Sequence, residues 1–204
     1  MKKLFQKLRK QPPPPPPVVI VSGLPRSGTS MMMKMLEAGG LPPLTDGERE
    51  ADVDNPKGYY EYERVKKLDK GDTEWLVQAQ GKVVKVISAL LRHLPADNQY
   101  KIIFMERHMS EILASQRKML IRRGEDPDKM DEAQMAALFA KHLQTTLGWL
   151  AAQSNIDLLT LHYSDVLTDP ETQARRVNAF LDNQLDQMAM ALVVDPDLYR
   201  NRQP

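Results

Sequence analysis

The 204-residue sequence contains no cysteine, and this absence excludes several kinds of chemistry. Without thiols there is no disulfide framework, no thiolate nucleophile and no zinc–thiolate centre. The lack of cysteine also favours a reducing compartment, so we expect a cytoplasmic protein.

An excess of charge of one sign is also missing, as are long apolar runs. The 28 lysines and arginines nearly balance the 27 aspartates and glutamates, which leaves a net charge of +1. No overall positive field would therefore attract nucleic acid, and we expect none as a partner. No apolar run approaches the roughly 20 residues of a membrane-spanning helix, so we expect no transmembrane segment.

Proline is concentrated in one place, the six residues Pro12 to Pro17, which follow a basic segment of residues 1–11. Consecutive prolines favour an extended polyproline II conformation. We therefore expect residues 1–17 to form a solvated tail, separate from a domain over residues 18–204. A contact of the basic segment with a membrane surface or a partner is the alternative.

Beyond the tail, short apolar segments alternate with helical patterns. Strands are predicted over residues 18–22, 82–86, 101–105 and 157–161. Helices are predicted over residues 28–36, 61–68, 72–80 and 131–154, with Asp72 as the cap of the third. Ser110 is predicted to cap a further helix, and another is predicted to begin at Asp169 and Pro170. This alternation predicts an α/β domain in three layers, with a central, mostly parallel sheet of four to five strands and helices on both faces.

The string "GLPRSGTS", Gly23 to Ser30, links the first strand to the first helix. Backbone N–H groups in such a turn, together with the helix N-terminus, form a site for an anion, so the fold is P-loop-like. A nucleotide triphosphatase would carry lysine directly after Gly28, where Thr29 stands. The positive charge lies instead at Arg26, whose guanidinium can donate two hydrogen bonds to one oxyanion. A glycine turn with a surface arginine and a lysine-free ATP or GTP site are the alternatives.

This string resembles the 5′-phosphosulfate loop of bacterial-type sulfotransferases that use 3′-phosphoadenosine 5′-phosphosulfate (PAPS). The resemblance implies that PAPS is the co-substrate and that no metal is required. It also implies that the 5′-phosphosulfate is bound by Pro25, Arg26, Ser27, Gly28, Thr29 and Ser30.

Two further segments extend the resemblance. The family binds the 3′-phosphate with an arginine at a strand end and a serine eight residues later, and "KIIFMERHMSEILAS" has Arg107 and Ser115 at that spacing. The segment "LTLHYSDVLTDPE" resembles the family's strand end whose tyrosine lies near the adenine, which implies this role for Tyr163. A core tyrosine is the alternative. The family's C-terminal arginine–lysine–glycine loop is missing, and only Arg200 or Arg202 offers a substitute.

The catalytic base is the open part of the resemblance. In aryl and steroid sulfotransferases the catalytic base is a histidine at the end of the strand that residues 82–86 resemble. The matching position in this chain is near Ile87-Ser88, and neither residue can act as a base. Other branches use a glutamate after the first helix. The candidates are therefore Glu61, Glu48 and His93, whereas His142 and His162 are interpreted as core or strand residues.

The predicted function is transfer of a sulfuryl group from PAPS to a hydroxyl or amine, with Arg26 as a catalytic residue that stabilises the leaving phosphate. Two alternatives stay open: a P-loop nucleotide kinase or triphosphatase, and a non-catalytic nucleotide-binding protein. The pattern predicts neither the acceptor nor the oligomeric state.

Overall fold

The computed structural model describes residues 15–47 and 60–195. The basic segment of the tail, the candidate base Glu48, and Arg200 and Arg202 lie outside the described residues. All other candidate site residues lie within them.

Four parallel strands form one sheet in the order β2-β1-β3-β4. They are β1 (Val18–Gly23), β2 (Val83–Lys85), β3 (Tyr100–Glu106) and β4 (Ile156–His162). At the outer edge of β2, Pro43 forms an isolated parallel bridge with Val83, and the Leu44 N–H donates to the Val83 carbonyl at 2.8 Å. The parallel sheet of four strands, with this short fifth segment, confirms the predicted architecture.

Helices surround the sheet. Over the described ranges the α-helices are α1 (Thr29–Ala38), α2 (Leu76–Ala79), α3 (Met109–Arg122), α4 (Glu132–Ala151), α5 (Tyr163–Thr168), α6 (Pro170–Phe180) and α7 (Gln187–Leu192). Two 3₁₀ helices cover Glu63–Lys70 and Ser88–His93. None of these helices has both the length and the apolar character needed to cross a membrane.

The central strand β1 is buried on both faces because its side chains alternate between two cores. Val18 and Ile20 pack on the side of α4 with Leu150. Val19 and Val21 pack on the side of α1 with three methionines that are completely buried: Met32, Met33 and Met35. Helices on both faces of the sheet are thus confirmed.

Of the three helix caps predicted from the sequence, one is right and two are wrong. Asp169 caps α6 as predicted. Asp131, which was predicted only as the start of a helix, caps α4 by accepting from the Gln134 N–H at 3.1 Å. Ser110 is not the cap of α3, because the chain turns at once after β3 and the helix already begins at Met109. Asp72 does not cap α2, since its carboxylate binds the Arg64 guanidinium instead.

Candidate anion-binding site

The loop between β1 and α1 has an unusual backbone. Arg26 has φ 71°, in the left-handed region, and Gly28 has φ 98°. The left-handed conformation costs a residue with a side chain about 1–2 kcal/mol. The Ser27 N–H donates to the Leu24 carbonyl at 3.2 Å and closes a tight turn around Arg26. Strain of this kind needs contacts from the rest of the fold to hold it.

Gly23 is required by close packing under the loop. A Cβ at this position would lie 2.4 Å from Ser27 Oγ and 2.5 Å from the Met105 carbonyl oxygen. Ser27 is completely buried, and its hydroxyl has no hydrogen-bond partner among the described residues. Ser27 therefore fills the space beneath the loop, while the exposed Pro25 lies at its outer side.

The N-terminus of α1 is open to an anion. Gly28 precedes the helix without a side-chain cap, and no acidic residue lies in the first turn. The first N–H groups of a helix have no partner within it and carry a partial positive charge. Thr29 and Ser30 add hydroxyl groups at this end and are partly buried.

Lys85, which was not among the candidates selected from the sequence, joins this end of α1. Its ammonium group donates to Ser30 Oγ at 3.2 Å from the neighbouring strand β2. The available signal was a lysine inside the otherwise apolar string "VVKV". The structure therefore brings a second cation to the loop, from a part of the chain 55 residues away from Ser30.

Two hydrogen bonds tie the loop to α3 and to the residue just after β3. Arg26 Nε donates to Ser115 Oγ at 2.9 Å, although 89 residues separate them. Arg107 Nη1 donates to the Arg26 carbonyl oxygen at 3.1 Å. The three residues selected on sequence spacing are therefore in direct contact, and the second bond holds Arg26 at the strained point of the loop.

Arg107 also forms a buried ion pair. Its Nε lies 2.8 Å from Glu111 Oε2, and the two side chains are only 8% and 6% exposed. Glu111 lies four residues after Arg107, in the first turn of α3, and was not among the candidates selected from the sequence. The buried carboxylate holds the Arg107 guanidinium in place, because breaking a buried ion pair is strongly destabilising.

Tyr163 lies between Arg107 and the loop. The Arg107 guanidinium is 4.3 Å from the centre of the tyrosine ring. On the loop side, a Cβ on Gly28 would lie 2.4 Å from Tyr163 Cδ2, so the ring packs directly on the glycine. The residue is 6% exposed, and burial raises the pKa of its phenol. Contact of this ring with an adenine stays a prediction.

The candidate bases lie on separate segments. His93 is exposed at the end of the second 3₁₀ helix. Glu61 is partly buried, with its carboxylate 3.5 Å from Lys66 Nζ and its backbone carbonyl bonded to the Thr45 hydroxyl at 2.8 Å. Neither assignment is tested by these contacts, and both stay predictions.

The combined arrangement fits a phosphate-like dianion. An uncapped helix N-terminus, two hydroxyl groups, Arg26 and Lys85 converge on the loop. Arg107 adds a third cation one hydrogen bond away. In the described part of the chain, no group of three or more histidine, aspartate or glutamate side chains is arranged to hold a metal ion.

Comparison with known proteins agrees with this geometry. A family model described as "Sulfotransferase domain" matches residues 16–196. A sulfotransferase domain from the curacin biosynthetic pathway has a similar structure, with 18% identity and a TM-score of 0.50 over 91% of this chain and 87% of that one. No curated protein sequence gives a match.

Mouse sulfotransferase SULT7A1, solved in complex with PAP, is a second similar structure. It is 18% identical with a TM-score of 0.52, and the likeness covers 87% of this chain but 62% of the mouse protein. The chain thus spans less than two thirds of that relative. At such low identity, both structures establish the fold alone.

Proposed function

The chain belongs to the sulfotransferase family, and on that basis we propose that it transfers a sulfuryl group from PAPS to a hydroxyl or amine acceptor. The products are the sulfated acceptor and adenosine 3′,5′-bisphosphate. The observation that carries the proposal is the contact of Arg26 with Ser115 and Arg107. It joins the loop suited to the 5′-phosphosulfate with the two residues suited to the 3′-phosphate.

Charge stabilisation at the leaving phosphate is the main catalytic task. As the bond between sulfur and the bridging oxygen breaks, negative charge develops on the 5′-phosphate of the donor. Arg26, Lys85 and the N-terminus of α1 provide positive charge at the loop before the reaction begins. By analogy with other oxyanion sites, loss of one such donor lowers kcat on the order of 10²–10³-fold.

Recognition of the 3′-phosphate is assigned to Arg107 and Ser115. Arg107 is held by Glu111 and by the ring of Tyr163, so it loses little side-chain freedom when it binds an anion. Thr29 and Ser30 donate hydroxyl hydrogens at the other phosphate. Among the predicted bases, Glu61, Glu48 and His93 remain candidates for taking the proton of the acceptor.

Organisation and location follow from the composition. We place the catalytic domain at residues 18–204 and treat residues 1–17 as a separate tail, in agreement with the start of β1 at Val18. The absence of cysteine supports a reaction in the cytoplasm.

A binding series tests the proposal. Calorimetry with adenosine 3′,5′-bisphosphate, AMP and ATP–Mg²⁺ should give the tightest binding for the bisphosphate. Arg107→Ala and Ser115→Ala should each reduce its advantage over AMP, whereas Arg175→Ala, which removes an exposed arginine on α6, should leave it unchanged. Equal affinity for the bisphosphate and AMP, or tighter binding of ATP–Mg²⁺, would refute the assignment and favour a nucleotide kinase.

A transfer assay tests catalysis. The protein is incubated with PAPS labelled in its sulfuryl group and a metabolite extract as a mixed acceptor pool. We expect labelled products that depend on Arg26, with turnover reduced on the order of 10²–10³-fold in Arg26→Ala. Retained nucleotide binding without any transfer by the wild-type protein would show a non-catalytic nucleotide-binding protein.

A further inference from the structure

The end of β2 lies next to the anion-binding loop. The Val86 N–H donates to the Val21 carbonyl at 3.0 Å, and Ser22 Oγ donates to the Val86 carbonyl at 2.6 Å. The chain therefore continues beside β1 after β2 ends at Lys85. Ser88 follows Lys85 by three residues and begins the 3₁₀ helix after β2, so it lies on the segment that leaves the sheet beside the loop.

A histidine from α4 reaches this position. His142 Nε2 lies 2.8 Å from Ser88 Oγ, although 54 residues separate the two in the chain. Thr146, one turn later on α4, has its hydroxyl 3.4 Å from the same nitrogen. Neither Ile87 nor Ser88 is itself a base, but the fold brings the imidazole of His142 from α4 to Ser88.

The ionisation of His142 suits a proton acceptor. Burial lowers the pKa of its imidazole below the usual value, and the positive charge of Arg92, on the 3₁₀ helix that packs against α4, acts in the same direction. The ring is therefore neutral at neutral pH. In the tautomer that carries its hydrogen at Nδ1, Nε2 is able to accept the hydroxyl hydrogen of Ser88.

Ile87 is the exposed neighbour of the pair. Ser88 is buried, with 4% exposure, but the side chain of the preceding Ile87 is an exposed apolar group, with 48% exposure. An isoleucine exposed beside a buried serine–histidine pair is suited to contact the apolar part of an acceptor.

We propose that Ser88 and His142 form the pair that takes the proton of the acceptor during sulfuryl transfer. The inference depends on the proposed function. The acceptor O–H proton passes to Ser88 Oγ as the Ser88 proton passes to His142 Nε2. The acceptor oxygen bonds to sulfur, the bond between sulfur and the phosphate oxygen breaks, and its electron pair stays on adenosine 3′,5′-bisphosphate. The imidazolium then returns its proton to water.

Glutamine at position 142 separates this role from a purely structural one. His142→Gln keeps a polar group that can bond to Ser88 but cannot take up a proton at neutral pH. We expect kcat for the labelled products of the wild-type reaction to fall on the order of 10²–10⁴-fold in this variant and in Ser88→Ala. Affinity for adenosine 3′,5′-bisphosphate should stay within about twofold, since general-base loss leaves nucleotide contacts intact.

The pH profile provides a readout that a structural bond would not change. In the wild type, kcat should fall in acid, with the midpoint of this limb below the ordinary histidine pKa of about 6.5, because burial lowers the pKa of His142. His142→Gln should lose this acidic limb, whereas His93→Gln and Glu61→Gln should retain it. Thr146→Val, which removes the second hydroxyl near the ring, should keep the limb and serves as a matched control for packing.

The possible failures are distinguishable. A wild-type protein that transfers no label refutes the proposed function and this inference together. A wild type that transfers label while His142→Gln keeps both its kcat and its acidic limb refutes only the inference. Loss of the acidic limb in His93→Gln or Glu61→Gln would also overturn it and identify the base as that residue.

Discussion

Replacing Gly28 by alanine probes whether the loop and Tyr163 form one packed unit. Two effects are expected at this position. The left-handed backbone, with φ 98°, costs alanine about 1–2 kcal/mol. The added methyl group would also lie 2.4 Å from Cδ2 and 3.1 Å from Cε2 of the Tyr163 ring, and such overpacking costs roughly 1–3 kcal/mol. Gly28→Ala should therefore destabilise the protein by about 2–5 kcal/mol.

Gly40 offers a matched control within the same chain. It has the same φ of 98°, but a Cβ there meets no atom within 4 Å. Gly40→Ala should therefore cost only the backbone part, about 1–2 kcal/mol. The effect of glycine on the entropy of the unfolded chain is common to both variants and cancels in their difference.

Urea denaturation of the two variants measures the difference. The free energy of unfolding should be lower in Gly28→Ala than in Gly40→Ala, and only the former should bind adenosine 3′,5′-bisphosphate more weakly, because displacing Tyr163 also disturbs Arg107. In a Tyr163→Ala background, Gly28→Ala should cost no more than Gly40→Ala. Equal destabilisation by the two alanines in the wild-type background would refute the packing argument.

Three further variants test separate parts of the structure. Glu111→Gln should lower stability by roughly 3–5 kcal/mol without ligand, since it removes the buried carboxylate that pairs with the Arg107 guanidinium, and adenosine 3′,5′-bisphosphate should recover part of the loss in a thermal-shift assay. Lys85→Met removes a charged donor at Ser30 and should weaken bisphosphate binding about tenfold in calorimetry, with little change in the thermal midpoint. Asp169→Ala should destabilise the protein at pH 7, because hydrogen bonding to the N-terminus of α6 lowers the pKa of Asp169. That contribution is present above the unfolded pKa of about 3.9 and is lost as the pH falls through the lower folded value, so the urea midpoints of Asp169→Ala and wild type should converge in acid.

Features encoded within short segments were predictable from the sequence. The loop at Gly23 to Ser30 depends on local backbone preferences, and the spacing of Arg107 and Ser115 is a property of one strand end and the helix after it. The alternation of strands and helices was also sufficient to predict the parallel sheet, since a helix between two strands usually connects them as parallel neighbours. Glu111 belongs to this local class as well, because it lies only four residues after Arg107, in the first turn of α3.

Helix ends were less predictable for a physical reason. An aspartate can bond to a helix N-terminus or to a cation elsewhere, and the sequence does not show which partner comes within reach. Asp131 and Asp169 bond to their helices. Asp72 bonds to Arg64, so the same residue type at a similar position leads to a different structure.

The sequence by itself determined the family, the fold and the loop that suits an anion, because each depends on residues close together in the chain. Only the tertiary structure decided which distant side chains complete the site. Strand β2 pairs with β1 and so brings Lys85 to Ser30. Helix α4 packs over the same end and brings His142 to Ser88. These contacts follow from strand order and helix packing, which set distances between segments that sequence spacing does not contain.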